Sequence, residues 1–227
     1  MLGQVGETEF DLRFYCFGVP VRVHPMFWLV SLFMGWRGGG EARGIITWVT
    51  CVFVSILVHE MGHALVIRRY GFASEIVLHG MGGYATSRGF TTWRSVWVSF
   101  AGPLAGFLLG GLVVLIEYGL RHYRIEWLRN IDVFRFIFYL KYINFYWGLV
   151  NLLPVLPLDG GRIMEVLMLK YWRKKPQERI LEISILASGA MAYWGYQSDQ
   201  RFVVILFILL CANNVIQYNE MKSHRRW

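Results

Sequence analysis

His59-Glu60-Met61-Gly62-His63 sets two imidazoles four residues apart, with a carboxylate beside the first. On a helix, positions i and i+4 share a face one turn apart. His59 and His63 can therefore offer two nitrogens to one metal ion. Glu60, next to the first ligand, can reach a water on that metal without ligating it. This is the arrangement of metal-assisted hydrolysis, with zinc as the usual ion. The motif lies within Cys51 to Ile67, CVFVSILVHEMGHALVI, an apolar run long enough to cross a bilayer. On a soluble amphipathic helix the same five residues recur by chance. Inside an apolar segment ionisable groups are costly and usually functional, which favours a metal site.

The rest of the composition fits that setting. The chain has 227 residues, 56% of them hydrophobic, with formal net charge +8, and its mean hydropathy is +0.41. That is too apolar for an ordinary soluble domain and fits a polytopic membrane protein, taken as one membrane-embedded domain over 1–227. In such a protein positive charge points to lipid head groups and topology, and nucleic acid is not an expected partner. Cys16, Cys51 and Cys211 are isolated and suggest neither disulfides nor a cysteine-rich zinc ribbon. The N-terminal stretch carries acids and lacks an apolar core, so no cleavable signal peptide is expected.

The elements that must position the motif read as an all-α polytopic membrane protein with about six transmembrane helices and a short membrane-associated β hairpin. The expected spans are Met26 to Trp36 lengthened by its flanks, Gly44 to Ile67, Trp93 to Tyr118, Ile131 to Val150, Ile180 to Tyr196 and Phe202 to Tyr218. The core spans are 44–67, 93–118 and 131–171. Phe10 to Val23 alternates enough for a strand or an interfacial segment. Ala73 to Thr86, with β-branched residues and glycines, reads as the hairpin. Gly102, Gly106 and Gly110 are spaced for close helix packing. After the fourth span, Asn151 to Gly161, NLLPVLPLDGG, holds two prolines and two glycines that interrupt the helix, which resumes from Arg162. Broken backbone at membrane depth must be buried in protein or line a cavity. With a cytoplasmic N-terminus, inside segments carry fourteen Lys and Arg against six outside. The positive-inside rule then puts both termini in the cytoplasm, with the motif opening toward that side.

A catalytic zinc needs a third protein ligand and one open position. No nearby Glu or same-segment His follows His63 in the usual pattern, and the next histidine is His79, in the expected hairpin. Asp159 is the better candidate, since it sits in the broken backbone at the depth that topology assigns to His59 and His63. Leu158-Asp159-Gly160-Gly161 could also be a simple turn.

At these residues the sequence resembles the site-2 protease family of intramembrane zinc metalloproteases. The likeness rests on His59-Glu60-Met61-Gly62-His63 in one helix and on Asn151-Leu152-Leu153-Pro154 with Pro157-Leu158-Asp159-Gly160-Gly161 in another. Gly82-Gly83-Tyr84-Ala85 and Ala101-Gly102-Pro103-Leu104-Ala105-Gly106 support it. The resemblance implies that His59, His63 and Asp159 bind Zn²⁺, that Glu60 is the catalytic base, and that Asn151 helps polarise the scissile carbonyl of a membrane-spanning protein substrate within the lipid bilayer. It also implies an integral protein of a bacterial or archaeal cell membrane. Many members carry Asn where this chain has Gly106. The Ala73 to Arg94 connection is too short for an inserted PDZ domain, and Met221 to Trp227 for a nucleotide-sensing pair. The Ile76 to Tyr84 hairpin could offer an edge to an extended substrate. Two other functions are weighed: a metal-ion transporter, and an inactive relative that binds membrane helices without cutting them.

Overall fold

The computed structural model describes residues 6–36, 41–80, 82–85, 91–123 and 130–224. The order is β1 (Leu12–Cys16), β2 (Val19–Val23), α1 (Pro25–Gly35), α2 (Ala42–Arg69), β3 (Ile76–His79), β4 (Gly82–Ala85), α3 (Thr92–His122), α4 (Ile131–Asn151), α5 (Asp159–Tyr171), α6 (Pro176–Gln197) and α7 (Arg201–His224). By internal contacts the chain divides into two compact units. The first is Met1–Gly89 with Ala101–Gly148, and the second is Phe90–Phe100 with Leu149–Trp227.

Phe10 to Val23 resolves into the antiparallel hairpin β1–β2, with Phe14 opposite Val21. Its two-residue turn needs positive φ at both positions, and Phe17 and Gly18 supply it at 48° and 73°. The left-handed backbone is unusual for a phenylalanine. Arg68 Nη1, from the end of α2, donates to the Phe17 carbonyl at 2.8 Å. The hairpin expected over Ala73 to Thr86 forms as β3–β4, but it does not stand alone. β3 runs parallel to β2, giving one four-stranded sheet in the order β1-β2-β3-β4. Thr86 lies outside the described residues. Burial explains the pairing. Val19, Val21 and Val23 of β2 and Ile76 and Leu78 of β3 are all at most 2% exposed, and buried strands need their main-chain groups satisfied. These residues join Phe27, Cys51, Val52, Ile56, Met61 and Ala64 in the core of the first unit.

The expected span over Met26 to Trp36 is corrected by the structure. α1 has 11 residues, about 16 Å of helix, against a hydrocarbon core of about 30 Å. Its N-terminal flank cannot lengthen it, because Val19–Val23 is committed to the sheet. Pro25 opens α1, and the His24 side chain accepts from Met26 N. Among the described residues, three helices are long and apolar enough to cross a membrane, Ala42–Arg69, Thr92–His122 and Arg201–Ser223. α4 and α6 have 21 and 22 residues but carry charge, with Asp132, Arg135 and Lys141 on one and Glu178, Arg179 and Glu182 on the other. In the first unit Glu117 of α3 pairs with Lys141 of α4 and with Arg121. In the second unit α6 and α7 form a helical hairpin, where Gln200 N donates to Gly195 O at 2.8 Å.

Among the described residues the sheet carries one shielded ion pair. Arg22 Nη1 donates to Asp11 Oδ2 at 2.9 Å, and the two side chains are 9% and 0% exposed. The Thr8 hydroxyl, at 2.6 Å, is the largest influence holding the Asp11 carboxyl well below its usual range, and Arg22 adds to it. A carboxylate with a lowered folded-state pKa stabilises above its unfolded pKa, and that contribution is lost as pH falls through the folded value. Asp11→Asn should therefore lower the thermal midpoint at pH 7. The gap from the parent should close as the pH is taken from about 4 downward, read as melting midpoints in detergent across a pH series.

Candidate metal centre

Residues Cys51, Ser55, His59, His63 and Ile67 recur every fourth position along α2, and all five are buried. The helix thus turns one continuous stripe inward, and the motif sits in it. His59, Glu60 and His63 are 3%, 4% and 7% exposed. The two Nε2 atoms face each other at 3.2 Å. A tetrahedral zinc with Zn–N bonds of 2.0–2.1 Å would hold two nitrogens about 3.3 Å apart, so the imidazoles already have the separation one ion requires. Among the described residues, His59, Glu60 and His63 each bring one possible ligand atom to within 4.8 Å of the others. That places the Glu60 carboxylate within reach of a water on a shared metal. His79 stands outside this group. It ends β3, opposite Gly82, and its pKa is lowered by burial and then by the charges of His24 and Arg22.

The space beside the ring nitrogens is left by a glycine on another helix. A Cβ on Gly102 would overlap His63 Nε2 and lie 2.8 Å from His59 Nε2. A Cβ on Gly62, within the motif, would overlap Ala101 O and lie 2.8 Å from Ala105 Cβ. The two glycines therefore let α3 lay its backbone against α2 at the two histidines, and Gly102 keeps a side chain out of the space beside their nitrogens. The three glycines read from the sequence as one packing stripe are not equivalent. At Gly106 the nearest atoms to a Cβ, Asn144 O and Oδ1, are both 3.6 Å away, which is ordinary contact.

Sequence reasoning missed two polar residues, Ser55 one turn before His59 on α2 and its partner Asn144. Asn144 of α4 donates through Nδ2 to Ser55 Oγ at 2.9 Å and to Leu140 O at 2.8 Å. Both side chains are 2% exposed. The available signal was the spacing, since Ser55 precedes His59 by one turn on the same face and Asn144 is a lone amide in an apolar stretch.

Asn151 and Asp159 belong to the second unit and are 7% and 8% exposed. Asn151 is the last residue of α4. Asp159 is not in broken backbone as expected, nor is its stretch a simple turn, because it is the first residue of α5. Prolines 154 and 157 break the chain, while Gly160 and Gly161 are helical. A Cβ on Gly160 would overlap Leu152 O, and one on Gly161 would lie 2.6 Å from Leu156 N. The glycines thus serve close approach, letting the 152–156 segment fold onto the first turn of α5.

Comparison with known proteins places these features in context. The profile described as Peptidase family M50 matches residues 120–194. The chain is 29% identical over 217 residues to a zinc metalloprotease of Methanocaldococcus jannaschii, covering 92% of this chain and 61% of that protein. It is 28% identical over 211 residues to stage IV sporulation protein FB of Bacillus subtilis, covering 89% of this chain and 67% of that one. The chain thus spans about two thirds or less of these curated relatives. Among solved structures it is similar to the site-2 protease from Methanocaldococcus jannaschii, with TM-score 0.66, 25% identity and coverage of 92% of this chain and 95% of that one.

The two α3 glycines separate the space beside the nitrogens from simple packing. Gly102→Ala should bring zinc content per chain down about tenfold or more, the scale on which disturbing a metal site acts. Gly106→Ala should keep the parent's content. Elemental analysis of the two purified, folded variants makes the comparison.

Proposed function

We propose that the chain is a member of the site-2 protease family and an intramembrane zinc metalloprotease hydrolysing a peptide bond in or near the transmembrane segment of a membrane-bound protein. The observation that carries this reading is the buried pair of imidazole nitrogens 3.2 Å apart, with Glu60 beside them and Gly102 keeping a side chain out of the adjoining space. In this reading His59 and His63 hold Zn²⁺ and Asp159 is the third ligand. Bound zinc supplies Lewis acidity and lowers the pKa of a water to about 7. Glu60 takes the proton of the attacking water and returns it to the leaving amine. Asn151 donates its amide N–H to the developing oxyanion.

The protein works as one membrane-embedded catalytic domain, with α2, α3 and α7 among its spans. The site opens to the cytoplasmic side, where Arg68 and Arg69 at the end of α2 and the basic residues from Lys170 to Arg179 would lie. Its host membrane is that of a prokaryotic cell. A membrane-tethered regulator is the kind of substrate that suits it. Metal transport fits less well, because a base beside a single ligand cluster serves hydrolysis and has no use in transit. The intact set of His59, Glu60, His63, Asn151 and Asp159 weighs against an inactive relative.

Three variants assign the roles, each measured as cleavage of a single-span protein and as zinc per chain. Glu60→Gln should keep zinc and lose cleavage, since it removes a base and no ligand. Asp159→Ala should lose both, and a full complement of zinc would transfer the ligand role to another residue. Asn151→Ala should keep zinc while kcat falls about 10²–10³, as for loss of one oxyanion donor. A rate per zinc-loaded molecule within a few-fold of the parent would remove Asn151 from the mechanism.

A further inference from the structure

The segment between Asn151 and Asp159 must satisfy its main chain without the two prolines donating. Leu152 N and Leu153 N donate to Leu149 O and Val150 O, each at 3.1 Å. Val155 N reaches Leu153 O, and Leu158 N reaches Val155 O, both at 2.8 Å. Residues 154 and 157 have no N–H. That leaves Leu156, the one N–H between 152 and 158 that no local carbonyl receives. It donates to Ser184 Oγ of α6 at 3.2 Å. Its carbonyl accepts from Asn214 Nδ2 of α7 at 2.9 Å. Asn214 Nδ2 also donates to Leu210 O at 2.8 Å. Two carbonyl partners on one atom fix which end of the carboxamide is nitrogen. Ser184 and Asn214 are both 0% exposed. A peptide unit in apolar surroundings has no water to fall back on, so both bonds matter.

We infer that Ser184 and Asn214 are positioning residues, which clamp the Leu156 peptide from the last two helices and so set the placement of the segment bearing Asn151 and Asp159. Leu156 N packs at the glycine turn beside Asp159, where a Cβ on Gly161 would come within 2.6 Å of it. A displaced Leu156 therefore displaces the first turn of α5. The last two helices thereby act on the segment that bears Asp159. This inference rests on the proposed role of Asp159 as zinc ligand.

The test compares Ser184→Ala and Asn214→Leu with Ser188→Ala in the full-length protein. Ser188 is equally buried at 0% exposure, but its hydroxyl bonds within α6, to Ser184 O at 2.6 Å and Ile185 O at 3.1 Å. It controls for loss of a buried hydroxyl. Two readouts are used besides cleavage: amide exchange of the 151–159 segment, and zinc affinity by chelator competition. Both clamp variants should speed exchange there and weaken zinc binding about ten- to a hundred-fold, as for residues that orient ligands, while Ser188→Ala matches the parent. Unchanged exchange in both clamp variants overturns the inference, as does equal damage from Ser188→Ala. Faster exchange with parental zinc affinity overturns it too, provided Asp159→Ala loses zinc. Should Asp159→Ala keep zinc, the ligand reading fails and kcat per folded molecule decides. A fall in Ser184→Ala but not in Ser188→Ala then supports the clamp through Asn151, and no fall overturns it.

Discussion

A polar group in hydrocarbon must find its partner within the protein, and the interaction most exposed to that constraint is the pair of imidazoles on α2. Two histidines one turn apart inside an apolar helix have no solvent to share their nitrogens with. The chain answers by bringing a bare stretch of α3 backbone against them. Gly62 removes the side chain that would hold α3 off at Ala101, and Gly102 removes the one that would fill the space beside the nitrogens. Cys51, Val52, Ile56 and Ala64 of α2 share the apolar core of the first unit with residues of β2 and β3. The sheet, the α2 stripe and the glycine contact all bear on where two nitrogens sit.

The motif was legible because its chemistry is local. Spacing alone puts His59 and His63 on one face, and hydropathy alone marks the helices that carry them. What could not be read was long-range or steric. β2 and β3 pair in parallel across the whole of α1 and α2, and nothing in either five- or four-residue strand announces the other. α1 read as a possible span because the sequence does not show that Val19–Val23 is already used in a sheet. Gly102, Gly106 and Gly110 share a spacing, yet a Cβ would overlap an imidazole at the first, touch Asn144 at ordinary distance at the second and press on the Phe145 ring at 3.1 Å at the third. Composition cannot separate those three cases, since each depends on what the neighbouring helix presents.

The surroundings of the histidines also bear on hydrolysis against transit. A metal crossing the membrane needs successive ligands to pass between. Going back along the stripe from His59, the next polar groups are Ser55, bonded to Asn144, and Cys51, whose thiol reaches Phe136 O at 3.6 Å. Both are engaged within the helix packing. A stripe whose neighbouring polar groups are so engaged fits the proposed reading of one ion held at one depth beside a fixed base.

The break after α4 follows from the same constraint in a different form. Two prolines keep the first helix from continuing, and a second helix begins at Asp159. The free N–H end of a helix favours negative charge, so a carboxylate at the first position of α5 is held where its charge is welcome. Asn151, at the carbonyl end of α4, is neutral and offers donors. An unbroken helix through this region would supply neither terminus, and a longer flexible loop would leave more peptide groups to satisfy. The short segment with local turns at Leu152, Leu153, Val155 and Leu158, and with side-chain partners at Leu156 and Pro157, is the solution that leaves both a buried acid and a buried amide in place.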